Sequence, residues 1–268
     1  MDHGEQVIRH YFEKVPDGRY VGRNTLDRDG IGTTPVYFEV AVEVSGSDVI
    51  VDVTNCPDQL PGPFNSTLTG TESACRVAVM MLAGRGDDPN EGYFRPITVR
   101  TKIGTMFDAQ PPAPCFLQGI TGILLSEAVF EALSKAVPEE VPSGAAGDPG
   151  AVVYWGQREG TGEFWGDGAA HIHGQGASST HDGIISACIP EGGMTQAPME
   201  IWEERNPWLV EKYEIATDSC GAGKYRGGMG ADLHIRMLEN AEFTTTITKT
   251  LTKGYTVAGG EAGRRNMV

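Results

Sequence analysis

The sequence predicts an α+β fold that is predominantly β, with mixed or antiparallel sheets, two longer helices and many Gly/Pro-rich loops. Three observations carry this. Val36, Phe38, Val40, Val42 and Val44 alternate strictly, as one buried strand face requires. Two segments show 3.6-residue apolar periodicity. The 36 glycines and 16 prolines demand many turns and exclude a helical bundle.

Taken in order, Glu5–Glu13 reads as a short helix with Val7, Ile8, Tyr11 and Phe12 on one face. Pro16-Asp17-Gly18 turns the chain into a strand over Arg19–Leu26. Val36–Val44, Ser45-Gly46-Ser47-Asp48 and Val49–Val53 then form a β-hairpin. Cys56–Asn65 holds three prolines and is irregular. Thr69 and Glu72 have capping-box spacing ahead of a helix over about 70–83, stopped by Gly84. Ile97–Ile103 reads as a strand, and a second long helix over roughly 120–137 ends at Pro138. Beyond it come candidate strands at Ala151–Trp155, Ile184–Ile189, Met199–Glu203, Leu209–Ile215, Ala231–Leu238 and Phe243–Thr248. The chain reads as one region, 1–268, in three stretches: 1–60 (helix and hairpin), 61–150 (helix-containing) and 151–268 (β-rich). Glu139–Gly150 is the only plausible internal linker.

A net charge of −15 excludes a basic nucleic-acid footprint and disfavours anionic membranes. No apolar run reaches the roughly 18 residues of a membrane span. The five cysteines, with no Cys-x-x-Cys, fit a reduced, cytoplasmic protein.

The densest local signal is Asp218–Gly230, with five glycines between positions 221 and 230. Lys224 and Arg226 make it a candidate phosphate cradle. The spacing departs from a Walker loop, because Asp218 stands where a glycine is needed and Tyr225 where Ser/Thr is needed. A tight β crossing is the alternative.

A second constellation gathers Asp167, His171, His173, His181 and Asp182. Histidines two apart on a strand share a face, as metal ligands would, and imidazole with carboxylate suits zinc, manganese or iron. A neutral imidazole also serves as a general base. A substrate-pocket or interface role, or ordinary loop histidines, fit the same residues. Glu200, Glu203 and Glu204 beside Trp202 and Trp208 read as a solvated strand edge, and Cys220 as a small buried thiol.

Four ordered motifs resemble the hydantoinase B/5-oxoprolinase family, which includes acetone and acetophenone carboxylase large subunits. They are Val51-Asp52-Val53-Thr54 into Asn55-Cys56-Pro57; Asn90–Ile97 through Gly104 to Pro111-Pro112-Ala113-Pro114; Pro198-Met199-Glu200 to Tyr213-Glu214 with Gly223-Lys224-Tyr225-Arg226-Gly227-Gly228-x-Gly230; and Gly259–Gly263. The resemblance implies part of a B-type subunit in an ATP-dependent complex acting on cyclic amide C–N bonds. Its alternatives are a piece of an acetone/acetophenone-type carboxylase, and a non-catalytic assembly module or gene remnant.

The family's metal-binding His/Asp motifs belong to an N-terminal half that is not found here, so no metal is assigned to this chain. The implied partners are a hydantoinase A-like ATP-binding subunit, a separate N-terminal B-type half and a small-molecule substrate. The chain alone is expected to be inactive and to bind no cofactor, with ATP and a divalent metal held elsewhere. His171, His173, His181 and Asp182 are the catalytic candidates, and Lys224 and Arg226 the cofactor-contact candidates.

Overall fold

A computed structural model describes residues 1–84, 89–171, 173–185, 187–188, 192–193 and 196–268. The chain forms two compact units. Unit 1 comprises Met1–Gly144 and Tyr255–Gly259; unit 2 comprises Ala145–Gly254 and Gly260–Val268. The division at 144/145 falls inside the Glu139–Gly150 segment.

Unit 1 opens with α1 (Asp2–Phe12), whose Ile8 and Phe12 are fully buried. Arg9 donates to Glu5 (2.9 Å) and to Asp48 (2.8 Å), fixing the helix to the hairpin. Strands β1 (Gly18–Leu26), β2 (Val36–Ser45), β3 (Asp48–Asp52) and β4 (Ile97–Arg100) build one sheet in that order. The first two pairings are antiparallel and the last is parallel. Phe38, Val40, Val42 and Val44 of β2 are all nearly inaccessible, as their alternation requires.

Helix α2 (Leu68–Ala83) packs on α3 (Gln118–Ser134), and α3 lies on β1 and β2. Buried residues surround α3 on most sides, which explains its nearly continuous apolar sequence. A Cβ at Gly22 of β1 would stand 1.8 Å from the Ala128 carbonyl oxygen, so this glycine lets the helix backbone rest on the strand. The cap of α2 is Thr67, which accepts from the Gly70 N–H, rather than the expected Thr69 box. The strand expected over Ile97–Ile103 ends at Arg100. Late in the chain Tyr255 returns to unit 1. Its hydroxyl donates to Pro142 O (2.8 Å), and its carbonyl accepts from Gly144 N (2.9 Å).

Unit 2 contains β5 (Val152–Gln157), β6 (Phe164–Ala169), β7 (Ala187–Cys188), β8 (Gly192–Gly193), α4 (Met199–Arg205), β9 (Trp208–Ile215), β10 (Ala231–Met237) and β11 (Ala241–Thr245). The β11–β5–β6 sheet and the β9–β10 and β7–β8 ribbons are antiparallel. Val152, Tyr154, Trp165, Trp202 and Trp208 form the core. Together the units give the expected α+β architecture of mixed and antiparallel sheets.

Two expectations fail here. Met199–Glu203 is the start of a helix, not a strand: Met199 and Trp202, three apart, turn onto the aromatic core. Glu200, Glu203 and Glu204 therefore lie on a helix rather than a strand edge, and Glu203 accepts from Val210 N (2.7 Å). Strand β6 has no counterpart in the sequence reading, because Gly166, Asp167 and Gly168 interrupt any alternation. Of the strand expected over Ile184–Ile189, Ala187 and Cys188 pair with β8, while Ser186 and Ile189 lie outside the described residues. Among the described residues no helix is long and apolar enough to cross a membrane.

Candidate functional site

The glycine-rich stretch is a crossing of backbone on backbone. Gly228 N donates to Gln175 O (2.7 Å), Gly227 N to Gly221 O (3.0 Å) and Gly183 N to Arg226 O (2.7 Å). A Cβ at Gly228 would stand 2.2 Å from Ile184 O; one at Gly174, 2.0 Å from Gly228 O; one at Gly221, 1.9 Å from Glu261 O. These glycines are required by close approach of the chain to itself. Glu261 N donates to Ala222 O (2.8 Å) and Arg264 N to Ser219 O (2.9 Å), which brings the segment after Gly260 onto the same crossing. Cys220, expected buried, is partly exposed. It sits where the chain threads this crossing rather than inside the aromatic core.

The candidate residues divide between two environments. At the surface, Asp182 accepts from the Arg226 backbone N–H (2.8 Å) and stands 3.9 Å from its guanidinium. Lys224 lies over the Tyr225 ring, 5.1 Å from its centroid. Both cations of the supposed cradle thus have contacts within their own crossing. His181 is exposed, and its Nδ1 bonds the hydroxyls of Ser178 (2.8 Å) and Thr180 (2.9 Å) in a local turn.

His171 and His173 belong to the interior instead. No strand carries them, so the alternation that would align two ligands is absent. His173 is buried. His171 meets the Trp202 ring edge-on at 6.1 Å, and burial holds its pKa below the ordinary imidazole value, so it is neutral near pH 7. Neither His171 ring nitrogen has a hydrogen-bond partner among the described residues, and the same holds for the indole N–H groups of Trp165 and Trp208. Asp167 is held by the Asn206 side-chain amide (2.8 Å). Among the described residues no three His, Cys, Asp or Glu side chains come together as a metal would need. The arrangement therefore offers a neutral imidazole against an aromatic wall and, separately, a polar surface turn.

A second organised region, in unit 1, escaped sequence reading. Asn65 is completely buried; its Nδ2 donates to Leu60 O (2.9 Å), Gly62 O (3.1 Å) and Pro114 O (3.0 Å), and its Oδ1 accepts from Leu60 N (2.6 Å). Asp29, also buried, accepts from Ile31 N (3.0 Å), Gly32 N (2.6 Å) and Gly62 N (3.1 Å). Burial alone would raise the Asp29 pKa, but these N–H donors outweigh it and hold the carboxyl below its ordinary value. The two side chains tie three irregular loops, around residues 29, 62 and 114, into one knot. The proline-rich composition of Cys56–Asn65 was the only sequence signal of it.

The family model described as hydantoinase B/oxoprolinase matches residues 1–268. The beta subunit of the caprolactamase of Pseudomonas jessenii is 31% identical over 257 residues, covering 90% of this chain and 42% of that protein. The B subunit of a putative D-/L-hydantoinase of Pseudomonas sp. (strain NS671) is 27% identical, covering 91% of this chain and 43% of that protein. The crystal structure of the ATP-dependent caprolactamase from P. jessenii superposes with a TM-score of 0.77 at 25% identity, covering 99% of this chain and 51% of that one. The chain thus spans less than half the length of these two relatives.

Proposed function

The chain belongs to the hydantoinase B/oxoprolinase family, and from that premise we propose that it forms part of the B-type subunit of an ATP-dependent complex that opens cyclic amide C–N bonds. The observation that carries this reading is the family match over the whole of residues 1–268. The relatives named for caprolactam and hydantoin share the cyclic amide as their target chemistry. An amide is a weak electrophile. Phosphorylation of its oxygen by ATP makes the carbon accept water and the nitrogen leave.

In this reading the nucleotide is held by an A-type subunit, and the divalent metal by the remainder of the B-type polypeptide. The present chain supplies a rigid frame and part of the pocket wall. His171, His173, His181 and Asp182 are its candidates for contact with the reacting groups. His171, which burial keeps neutral near pH 7, is offered in this reading as a proton acceptor.

The test is reconstitution. This chain, the rest of the B-type subunit and the ATP-binding subunit are assembled and offered 5-oxoproline, hydantoin and caprolactam. ADP release in step with ring-opened product is expected. Labelled bicarbonate entering acetone or acetophenone instead would move the chain to the carboxylase branch. An assembled complex without ATP-dependent turnover of any of these would leave a non-catalytic module.

A further inference from the structure

One exposed turn of unit 2 places more hydrogen bonds on a single hydroxyl than the turn itself requires. It closes through Ser178 N, which donates to His181 O (3.1 Å). Ser178 Oγ accepts from the backbone N–H groups of Thr180 and His181, both at 3.2 Å. Those two donors complete an ordinary serine turn. The imidazole is additional: His181 Nδ1 lies 2.8 Å from Ser178 Oγ and 2.9 Å from Thr180 Oγ1.

The proton positions follow from the donors. Both lone pairs of Ser178 Oγ are taken by N–H groups, so its own proton must be given away. The other acceptors, Thr180 Oγ1 and His181 O, stand farther off, at 3.3 and 3.4 Å. The proton therefore points to Nδ1, and the neutral imidazole carries its own on Nε2. A hydroxyl bonded to an unprotonated imidazole nitrogen at this distance is a nucleophile beside its base. The two N–H groups aimed at Oγ favour the charge that this oxygen gains as its proton leaves. The turn is also held from behind. Asp182 accepts from Arg226 N (2.8 Å) and Gly183 N donates to Arg226 O (2.7 Å), which anchors it to the glycine crossing. Thr180 and His181 are exposed, so a reagent in solution reaches the pair.

We propose that Ser178 is an acyl-accepting nucleophile with His181 as its general base, acting on activated acyl carbons such as acyl phosphates and esters of good leaving groups. Oγ attacks the carbonyl carbon while its proton passes to Nδ1. The bond to the leaving oxygen breaks, and the leaving group departs as its anion. The imidazolium returns its proton to solvent, then takes one from the water that attacks the serine ester. The C–Oγ bond breaks, Oγ recovers that proton, and the acid is released. An acyl group that is already activated needs neither ATP nor a partner subunit, so this activity is separate from the ring opening proposed above.

The experiment treats the full chain alone with p-nitrophenyl acetate, quenches in acid and maps acetylated peptides by mass spectrometry. An acetyl group on Ser178 is expected, with release of p-nitrophenolate. Ser178→Ala should abolish that label, and His181→Ala should slow its formation by about 100-fold, the scale of a lost general base. Acetyl groups confined to His181 or to lysines, with Ser178 unmodified, would overturn the inference. That map needs no variant, so it decides the question even where Ser178→Ala fails to fold. Labelling of Ser178 at an unchanged rate in His181→Ala would overturn it too, since the hydroxyl would then react without its base. Each of these failures leaves the proposed function standing, and failure of the reconstituted complex to open cyclic amides leaves this result untouched.

Discussion

Two regions of this molecule solve the same problem by opposite means. Each must hold irregular chain crossings without a regular ladder. Unit 1 does so with side chains: Asn65 and Asp29 supply the donors and acceptors that loops around 29, 62 and 114 lack. Unit 2 does so by removing side chains. Gly174, Gly183, Gly221 and Gly228 let main-chain N–H and C=O groups meet directly. Both satisfy the rule that buried backbone polar groups must be paired. The difference lies in what a substitution destroys: a specific set of hydrogen bonds in unit 1, and the space for the chain itself in unit 2.

That contrast is broken most severely at Gly228. Alanine there would place a Cβ 2.2 Å from Ile184 O, so the backbone must move; a loss of about 3 kcal/mol is expected, from the cost of overpacking. Hydrogen exchange should localise the damage to residues 174–185 and 219–230, and uniform protection there would refute the steric account. Gly119 is the internal control. It sits in the first turn of α3 with nothing within 4 Å of a Cβ, so Gly119→Ala should raise the thermal midpoint, by up to about 1 kcal/mol of helix propensity.

In unit 1 the corresponding lesion is Asn65→Ala. It strands Leu60 N and three carbonyls in a buried site, and about 2–3 kcal/mol of stability should be lost in denaturant titration. Gln, with the same amide on a longer stem, should not restore it. A shift below about 0.5 kcal/mol would mean that water replaces the amide and the knot is not braced as described.

The two regions also separate on the pH axis. The pKa of His171 is depressed in the folded state by burial. Its neutral form therefore supports unit 2 above the unfolded value near 6.5, and that support is lost as pH falls below it. Asp29 is likewise depressed, so its support for unit 1 persists until pH drops below the carboxylate value of 3.8. Comparing wild type with His171→Phe across about pH 5–7 isolates the first effect from the opposite behaviour of Asp148, whose pKa burial raises. Identical pH slopes in the two proteins would remove His171 as the cause. The smallest effect belongs to His181→Ala, about 0.5 kcal/mol or less, since its bonds are exposed and local.

The same contrast explains what could be read from the sequence. The hairpin of β2 and β3 and the helices α2 and α3 were legible because periodicity reports burial directly. Helix α4 was misread because seven residues give too few turns for the Met199–Trp202 spacing to stand out against strand-like composition. The glycine crossing was visible as glycines, yet a sequence does not say what a glycine approaches; the answer, Ile184 O and Glu261 O, comes from residues about 40 positions away. Asn65 and Asp29 left no pattern at all, because a polar residue inside irregular chain has no period to break. Of the candidate residues, Asp182 and Arg226 come together, while His171 and His173 lie in the interior away from any strand that would align them.

The late return of Tyr255 has a consequence for how the protein is made. Pro142 O and Gly144 N are bonded by Tyr255, and Ser143 Oγ accepts from Val257 N (3.2 Å). During translation, residues 1–144 therefore emerge more than a hundred residues before the segment that finishes their own unit. Unit 2 in turn waits for residues 260–268. Neither unit has all its residues until the chain beyond residue 255 is present, so cutting the chain near residue 250 leaves both units unfinished rather than one finished and one missing.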